Sequence, residues 1–160
     1  MNMQLIRIDD RLIHGQVVVG WVKALTIERL VVVNDEIAKN NMRRTLMEMA
    51  VPAGLKVNFY TVDEAVAAVK DDSQERTLIL FANPMDVEAF AEKGGPVNVV
   101  NVGGMHFGDG KTQMSKTICV NSDDMKAFRA LRQRGVELES RAVPGDVKES
   151  LDKVLPEIKN

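Results

Sequence analysis

Six short runs of β-branched and aliphatic residues punctuate the chain: "MQLIRI" (3–8), "RLVVVN" (29–34), "LKVNFY" (55–60), "TLILFA" (77–82), "VNVVNV" (97–102) and "KTICV" (116–120), with a weaker seventh, "VELESRAV" (136–143). Most are apolar nearly throughout instead of alternating, the pattern of strands covered on both faces. Between most of them the spacing changes to that of a helix. Met42, Leu46, Met49 and Ala50 share one helical face, closed by Pro52 and Gly54, and methionines on such faces read as core filler. Thr61 and Glu64 form a capping-box pattern ahead of the stripe Val62, Val66, Val69. Asn83-Pro84 opens a helix that ends at Gly94-Gly95. Another starts near Ser122, aligns Met125, Phe128 and Leu131, and stops at Gly135. The tail from Asp146 reads as a last helix interrupted by Pro156. Strands alternating with helices predict one α/β domain over residues 1–160, a mainly parallel sheet with helices on both faces. Residues 103–115, "GGMHFGDGKTQMS", break the pattern and predict a long loop, so the strands around it need not be parallel.

Composition narrows the classes. A chain of 160 residues can bury a substantial core without disulfides or metal. The net charge of -2 and pI near 5.7 argue against a broad nucleic-acid footprint, which needs a basic surplus. Cys119 is the only cysteine and lies in an apolar run, so it reads as a buried thiol. The amino terminus lacks the pattern of a signal peptide and no 18-residue apolar span occurs, so the expected location is cytoplasmic.

The chemistry concentrates in "IRIDDRLIHGQ" (6–16), where an apolar strand runs into three charges and one of only two histidines. Ligands of open α/β sheets bind outside the carboxyl ends of the strands. If Ile8 closes the first strand, residues 9–14 form the loop and "GQVVVGWVKAL" starts a helix at Gly15. A histidine beside a helix amino terminus meets free N–H groups and the positive end of the macrodipole, which favour a neutral, nucleophilic imidazole and would hold phosphoryl oxygens. Arg11 offers a fork of donors to the same oxygens, and Gly15 allows close approach of the backbone. His14 is thus a candidate nucleophile, Arg11 a charge stabiliser, and Gly15 and Gln16, with Asp10 of the same loop, the surroundings of a phosphate. Taken alone, these features fit a hydrogen-bonded structural histidine better. Asp9 and Asp10 read as turn and capping residues that could orient Arg11 or His14; adjacent carboxylates tend to point apart.

Other features carry less. "GDGKT" (108–112) fails the P-loop spacing, because the position four residues before Gly110 would have to follow a glycine where Met105 stands. His106 lies in the glycine-rich loop as a surface or hydrogen-bonded residue, and with Lys111 it would help to hold a phosphoryl group if that loop borders the His14 pocket. Two histidines without H-x-x-x-H spacing make no metal site. Asn34, Asp35 and Glu36 read first as a helix cap, with Asn34 and Asp35 near the pocket rim. Trp21 packs between Val17 and Leu25, and "MRR" (42–44) and "RALRQR" (129–134) are basic helix surfaces.

"RIDDRLIHGQV" closely resembles the phosphorylation segment of the IIB components of the mannose/fructose/sorbose class of the bacterial phosphoenolpyruvate-dependent sugar phosphotransferase system. "LVVVNDEIA" (30–38), "VNVGGMHFGDGK" (100–111) and "RGVELESRAVPGD" (134–146) extend the likeness over nearly the whole chain. The resemblance reverses the balance at His14. It implies a phosphohistidine on Nδ1 of His14, stabilised by Arg11, loaded by a phosphorylated IIA protein and unloaded onto a sugar entering through a membrane IIC/IID complex. It implies a mostly parallel, seven-stranded sheet, no cofactor beyond the covalent phosphohistidine, and no nucleic-acid partner. A phosphate- or sugar-phosphate-sensing module of the same fold is the alternative.

Overall fold

The computed structural model describes residues 1–159. Its strands are β1 (Asn2–Asp9), β2 (Arg29–Val33), β3 (Lys56–Tyr60), β4 (Arg76–Phe81), β5 (Val99–Gly104), β6 (Thr112–Gln113), β7 (Cys119–Val120), β8 (Glu137–Ser140) and β9 (Glu149–Ser150). Seven of them form one sheet in the order β3-β2-β4-β1-β5-β8-β9, parallel except for the last pair. Its central strands bury both faces, as their unbroken apolar runs require. Leu30, Val32, Leu78 and Leu80 enter one core, while Val31, Val33, Ile79 and Phe81 enter the other. The first core also takes Val17 and Trp21 of the helix over residues 15–24, whose middle, Val17–Val22, is a π-helix, and Ile37 of α1 (Asp35–Ala38). The second core receives Val62 and Ala65 of α3 (Val62–Ala68), Val87 and Phe90 of α4 (Pro84–Glu92), and Phe128 and Leu131 of α5 (Ser122–Gln133). The helix starts follow the caps in the sequence: the Thr61–Glu64 box closes reciprocally, and Asn83 accepts from the Asp86 N–H.

Three expectations change. The run "KTICV" contributes β7, which pairs antiparallel with β6 outside the main sheet; the seventh strand there is β9. The tail from Asp146 therefore begins as a strand, continues as the single turn α6 (Leu151–Val154), and ends in a 3-10 turn, Pro156–Lys159. In α2 (Asn41–Met49) the face carrying Met42, Leu46 and Met49 is exposed, at 75%, 61% and 78%. Met47 and Val51 pack on the core instead. The segment carries two apolar stripes, both at helical spacing, and the packing of Met47 and Val51 on the first core chooses between them.

Gly95 shows how tightly the second core closes. A Cβ there would sit 2.5 Å from the ring of Phe90, a fully buried residue that stacks obliquely on Phe81 at 5.5 Å. Gly95→Ala is expected to cost about 1–3 kcal/mol through overpacking. Thermal unfolding would show it as a lowered Tm, and an unchanged Tm would mean that the ring yields freely.

Candidate active site

β1 lies between β4 and β5. From its carboxyl end the chain leaves past β4 towards β2, whereas from β5 it leaves the other way, towards β8. The two connections diverge above the ends of β1 and β5, which is where an open parallel sheet makes a crevice. The loop over residues 9–14 sits there. Its turn is closed by the Leu12 N–H donating to the Asp9 carbonyl (2.9 Å), and the Asp10 N–H donates to the Gly104 carbonyl (3.0 Å). Leu12 has φ 57°, a left-handed conformation that costs a non-glycine residue about 1–2 kcal/mol. Its side chain, 1% exposed, is sunk in the core with Trp21 and Leu30, and that burial holds the turn.

The adjacent carboxylates point apart, one to each histidine. Asp10 accepts from the His106 N–H (2.6 Å) and pairs with its Nδ1 (2.6 Å). Asp9, 1% exposed, lies 2.9 Å from Nε2 of His14 and also accepts from the Arg11 N–H (3.1 Å) and an Arg7 guanidinium nitrogen (3.1 Å). Burial pushes the Asp9 carboxyl up, but the hydrogen bond and charge of His14, the Arg7 charge and the Arg11 N–H outweigh it, and the group stays below the ordinary aspartate value. An ionised carboxylate only accepts hydrogen bonds, so the proton of a neutral His14 ring belongs on Nε2, and Nδ1 is then the nitrogen with the lone pair.

The ring begins the first helix. Its first backbone bond runs from the Val18 N–H to the His14 carbonyl (3.0 Å), which places the N–H groups of Gly15, Gln16 and Val17 in the open first turn. Beside it lies a cavity of about 260 Å³ bordered by Arg11, Gln16, Gly104, His106, Phe107 and Lys116. The Arg11 side chain is 48% exposed, with Nε 4.0 Å from Asp9, free to swing over a bound anion.

Arg11, Gln16 and His106 thus border the cavity, while His14 and Gly15 lie between Arg11 and Gln16 in the chain and do not line it. Asp10 is engaged by His106 and does not face His14, so it serves to tie the glycine-rich loop down and not to hold phosphate. Asn34 and Asp35 stand apart, because β4 intervenes between β2 and β1. Asn34 caps α1 and donates to Asp86 (2.8 Å), and Asp35 accepts from the Val62 N–H (2.8 Å). Lys111 is drawn off to Asp124 (3.4 Å). The arginines of "RALRQR" are spent on Glu157, Asp152 and Glu92. Lys116, on the cavity wall, escaped sequence reasoning; Asp9, read first as a turn residue that could orient Arg11 or His14, is the histidine's hydrogen-bond partner. Only Asp9 left a signal: it shares the period-2 face of β1 with Arg7, a charge in the midst of an apolar strand.

The model of the phosphotransferase-system sorbose-subfamily IIB component matches residues 3–160. The chain belongs to this family. It is a phosphoryl carrier of a sugar phosphotransferase system. Its relatives include the sorbose-specific EIIB component of Lacticaseibacillus casei, 42% identical over 91% of this chain and 90% of that protein. The fructose-specific EIIB component of Bacillus subtilis is 39% identical over 97% and 96%. The crystal structure of the IIBSor domain of the Klebsiella pneumoniae sorbose permease superposes with a TM-score of 0.91 at 37% identity, covering 98% of both chains. Among the described residues of this IIB component, no helix is long and apolar enough to cross a membrane.

Proposed function

We propose that Nδ1 of His14 is the atom that carries the phosphoryl group. The observation that carries this reading is the 2.9 Å contact between Nε2 and the buried, ionised Asp9, which leaves Nδ1 as the only nucleophilic nitrogen of the ring. In the loading step the Nδ1 lone pair forms a bond to phosphorus as the N–P bond of a donor histidine breaks, and that electron pair returns to the donor ring. The phosphorylated imidazole of His14, still protonated on Nε2, is cationic and is stabilised by Asp9. Arg11 and the N–H groups of Gly15 and Gln16 hold the phosphoryl oxygens as charge shifts between the rings. In the unloading step a sugar hydroxyl oxygen attacks phosphorus, the N–P electrons return to Nδ1, and the hydroxyl proton leaves to a base at the acceptor.

The donor is a phosphorylated IIA protein or domain. This is supported by the mannose-specific EIIAB component of Escherichia coli, 42% identical over 150 residues, of which this chain covers 46%. The acceptor is a hexose or hexose derivative presented by a membrane IIC/IID complex; the names of the relatives span sorbose, fructose, mannose and N-acetylgalactosamine. Those relatives are components of transport systems, so the sensing alternative is not favoured.

The test is intact mass after incubation with phosphoenolpyruvate, the two general phosphotransferase proteins and a cognate-class IIA, followed by 15N NMR of the histidine rings. One acid-labile phosphoryl group on Nδ1 of His14 is expected. No added mass while the IIA is itself phosphorylated, or a phosphoryl group on Nε2, would overturn the reading. In the same assay Arg11→Ala should slow loading by about 10²–10³-fold, as for loss of one oxyanion donor. Its Tm should hardly move, because the side chain is half exposed and its one ion pair, Nε to Asp9, is long at 4.0 Å.

A further inference from the structure

Beneath the Asp9–His14 pair lies a charge that the transfer chemistry above does not use. Arg7 is 1% exposed and stands between Ile6 and Ile8 on β1, with its side chain on the opposite face from theirs. One Nη donates to Asn101 and to the Arg141 carbonyl (3.1 Å); the other donates to Asp9 (3.1 Å) and to the Ala142 carbonyl (3.0 Å). The guanidinium carbon lies 5.1 Å from the centroid of Trp21, on the helix that follows His14, and the Trp21 indole N–H donates to the same Ala142 carbonyl (3.1 Å). Room for this comes from Gly103, where a Cβ would overlap the guanidinium at 1.9 Å. Desolvating a guanidinium is expensive, and a core of this kind could be filled by apolar side chains at less expense. What an apolar side chain could not do is hold Asp9.

We propose that Arg7 is a positioning residue for phosphoryl transfer: its fixed guanidinium anchors the Asp9 oxygen that binds Nε2, and so locks His14 in the tautomer with a free Nδ1. The fork decides the geometry. One Nη is pinned by Asn101 and the Arg141 carbonyl and the other by the Ala142 carbonyl, so the nitrogen facing Asp9 has no freedom to follow a moving carboxylate, and the carboxylate in turn is held against the imidazole. The link through Ala142 and Trp21 sets the first helix against the same anchor, so the ring and the open helix turn keep one register. This rests on His14 being the carrier, but its structural half stands without phosphorylation.

The experiment is long-range 1H–15N NMR of the His14 ring in the unphosphorylated wild type, in Arg7→Met and in Gly103→Ala, beside loading rates from phosphorylated IIA. The wild type should hold the Nε2–H form. Arg7→Met, which keeps the volume, and Gly103→Ala, which keeps the arginine and displaces its guanidinium, should both show the ring exchanging between tautomers. Loading should slow by about 10- to 100-fold, the size of effect seen when the partner behind a functional histidine is removed, with the KM for IIA little changed. Arg7→Lys should recover only part of the rate. A merely structural arginine would lower Tm and leave the tautomer alone. A fixed Nε2–H ring in either folded variant with a loading rate within about twofold of wild type would overturn the proposal. So would a wild-type ring that exchanges between tautomers, whether or not a variant folds. Failure of the carrier reading would look different: a locked ring that never gains mass.

Discussion

Replacing His14 with alanine yields a folded protein that accepts no phosphoryl group. The side chain is 15% exposed and contributes one hydrogen bond to the interior, the contact with Asp9. Asp9 keeps its Arg7 and Arg11 N–H donors in the variant, so no buried charge is orphaned and the loss of stability should stay near 1 kcal/mol. Transfer, by contrast, has no second nucleophile to fall back on. His106, the other histidine, has Nδ1 engaged by Asp10 and lies in the glycine-rich loop, not at the open helix turn that would hold the phosphoryl oxygens, so its free Nε2 is no substitute. The measurement is a pair of mass spectra and a pair of melting curves. Phosphorylation of His14→Ala at any rate comparable to wild type would move the carrier elsewhere in the chain.

Asp9→Asn is expected to damage both stability and transfer. Among the described residues the carboxylate is the only negative charge paired with the buried Arg7, and breaking a buried pair from one side costs about 3–5 kcal/mol. An amide can also donate to Nε2 and thereby hold the opposite tautomer, so loading should fall by about 10² or more, towards the 10⁴ seen for the equivalent change behind a catalytic histidine. A pH signature accompanies this. The folded Asp9 carboxyl lies below its unfolded value despite burial, so the native state binds protons less readily than the unfolded chain there. Its stabilisation is fully present above the unfolded aspartate value of about 4 and is lost as pH falls below it. Acid unfolding monitored by circular dichroism should therefore be steeper in wild type than in Asp9→Asn. Equal slopes would mean that Asp9 is not held ionised by its neighbours.

Much of this could be read from residue order, because it rests on local chemistry. Apolar runs and caps such as Thr61–Glu64 and Asn83-Pro84 place the strands and helices, since burial of a strand on both faces and satisfaction of a helix start are settled within a few residues. The loop at the end of β1 could be found the same way: a histidine, an arginine and a glycine between a strand and a helix, with a motif specific enough to show its family. Strand membership could not. "KTICV" and the residues around Glu149 are both short extended segments, and which of them completes the main sheet depends on where β5 and β8 lie in space. Nor could the exposed face of α2, where two apolar stripes compete and only packing on the first core chooses. At the site, residue order supplied the candidate nucleophile and tertiary structure supplied the groups around it. Asp9 and Asp10 are neighbours in the chain and equal in chemistry. It is the alternation of β1 that turns Asp9 inward to Arg7 and His14, and the path of the glycine-rich loop that brings His106 to Asp10 from 96 residues away. The network of Arg7 on β1, Asn101 on β5 and the Arg141 and Ala142 carbonyls just past β8 joins three segments, and contacts between segments so distant have no trace in local spacing.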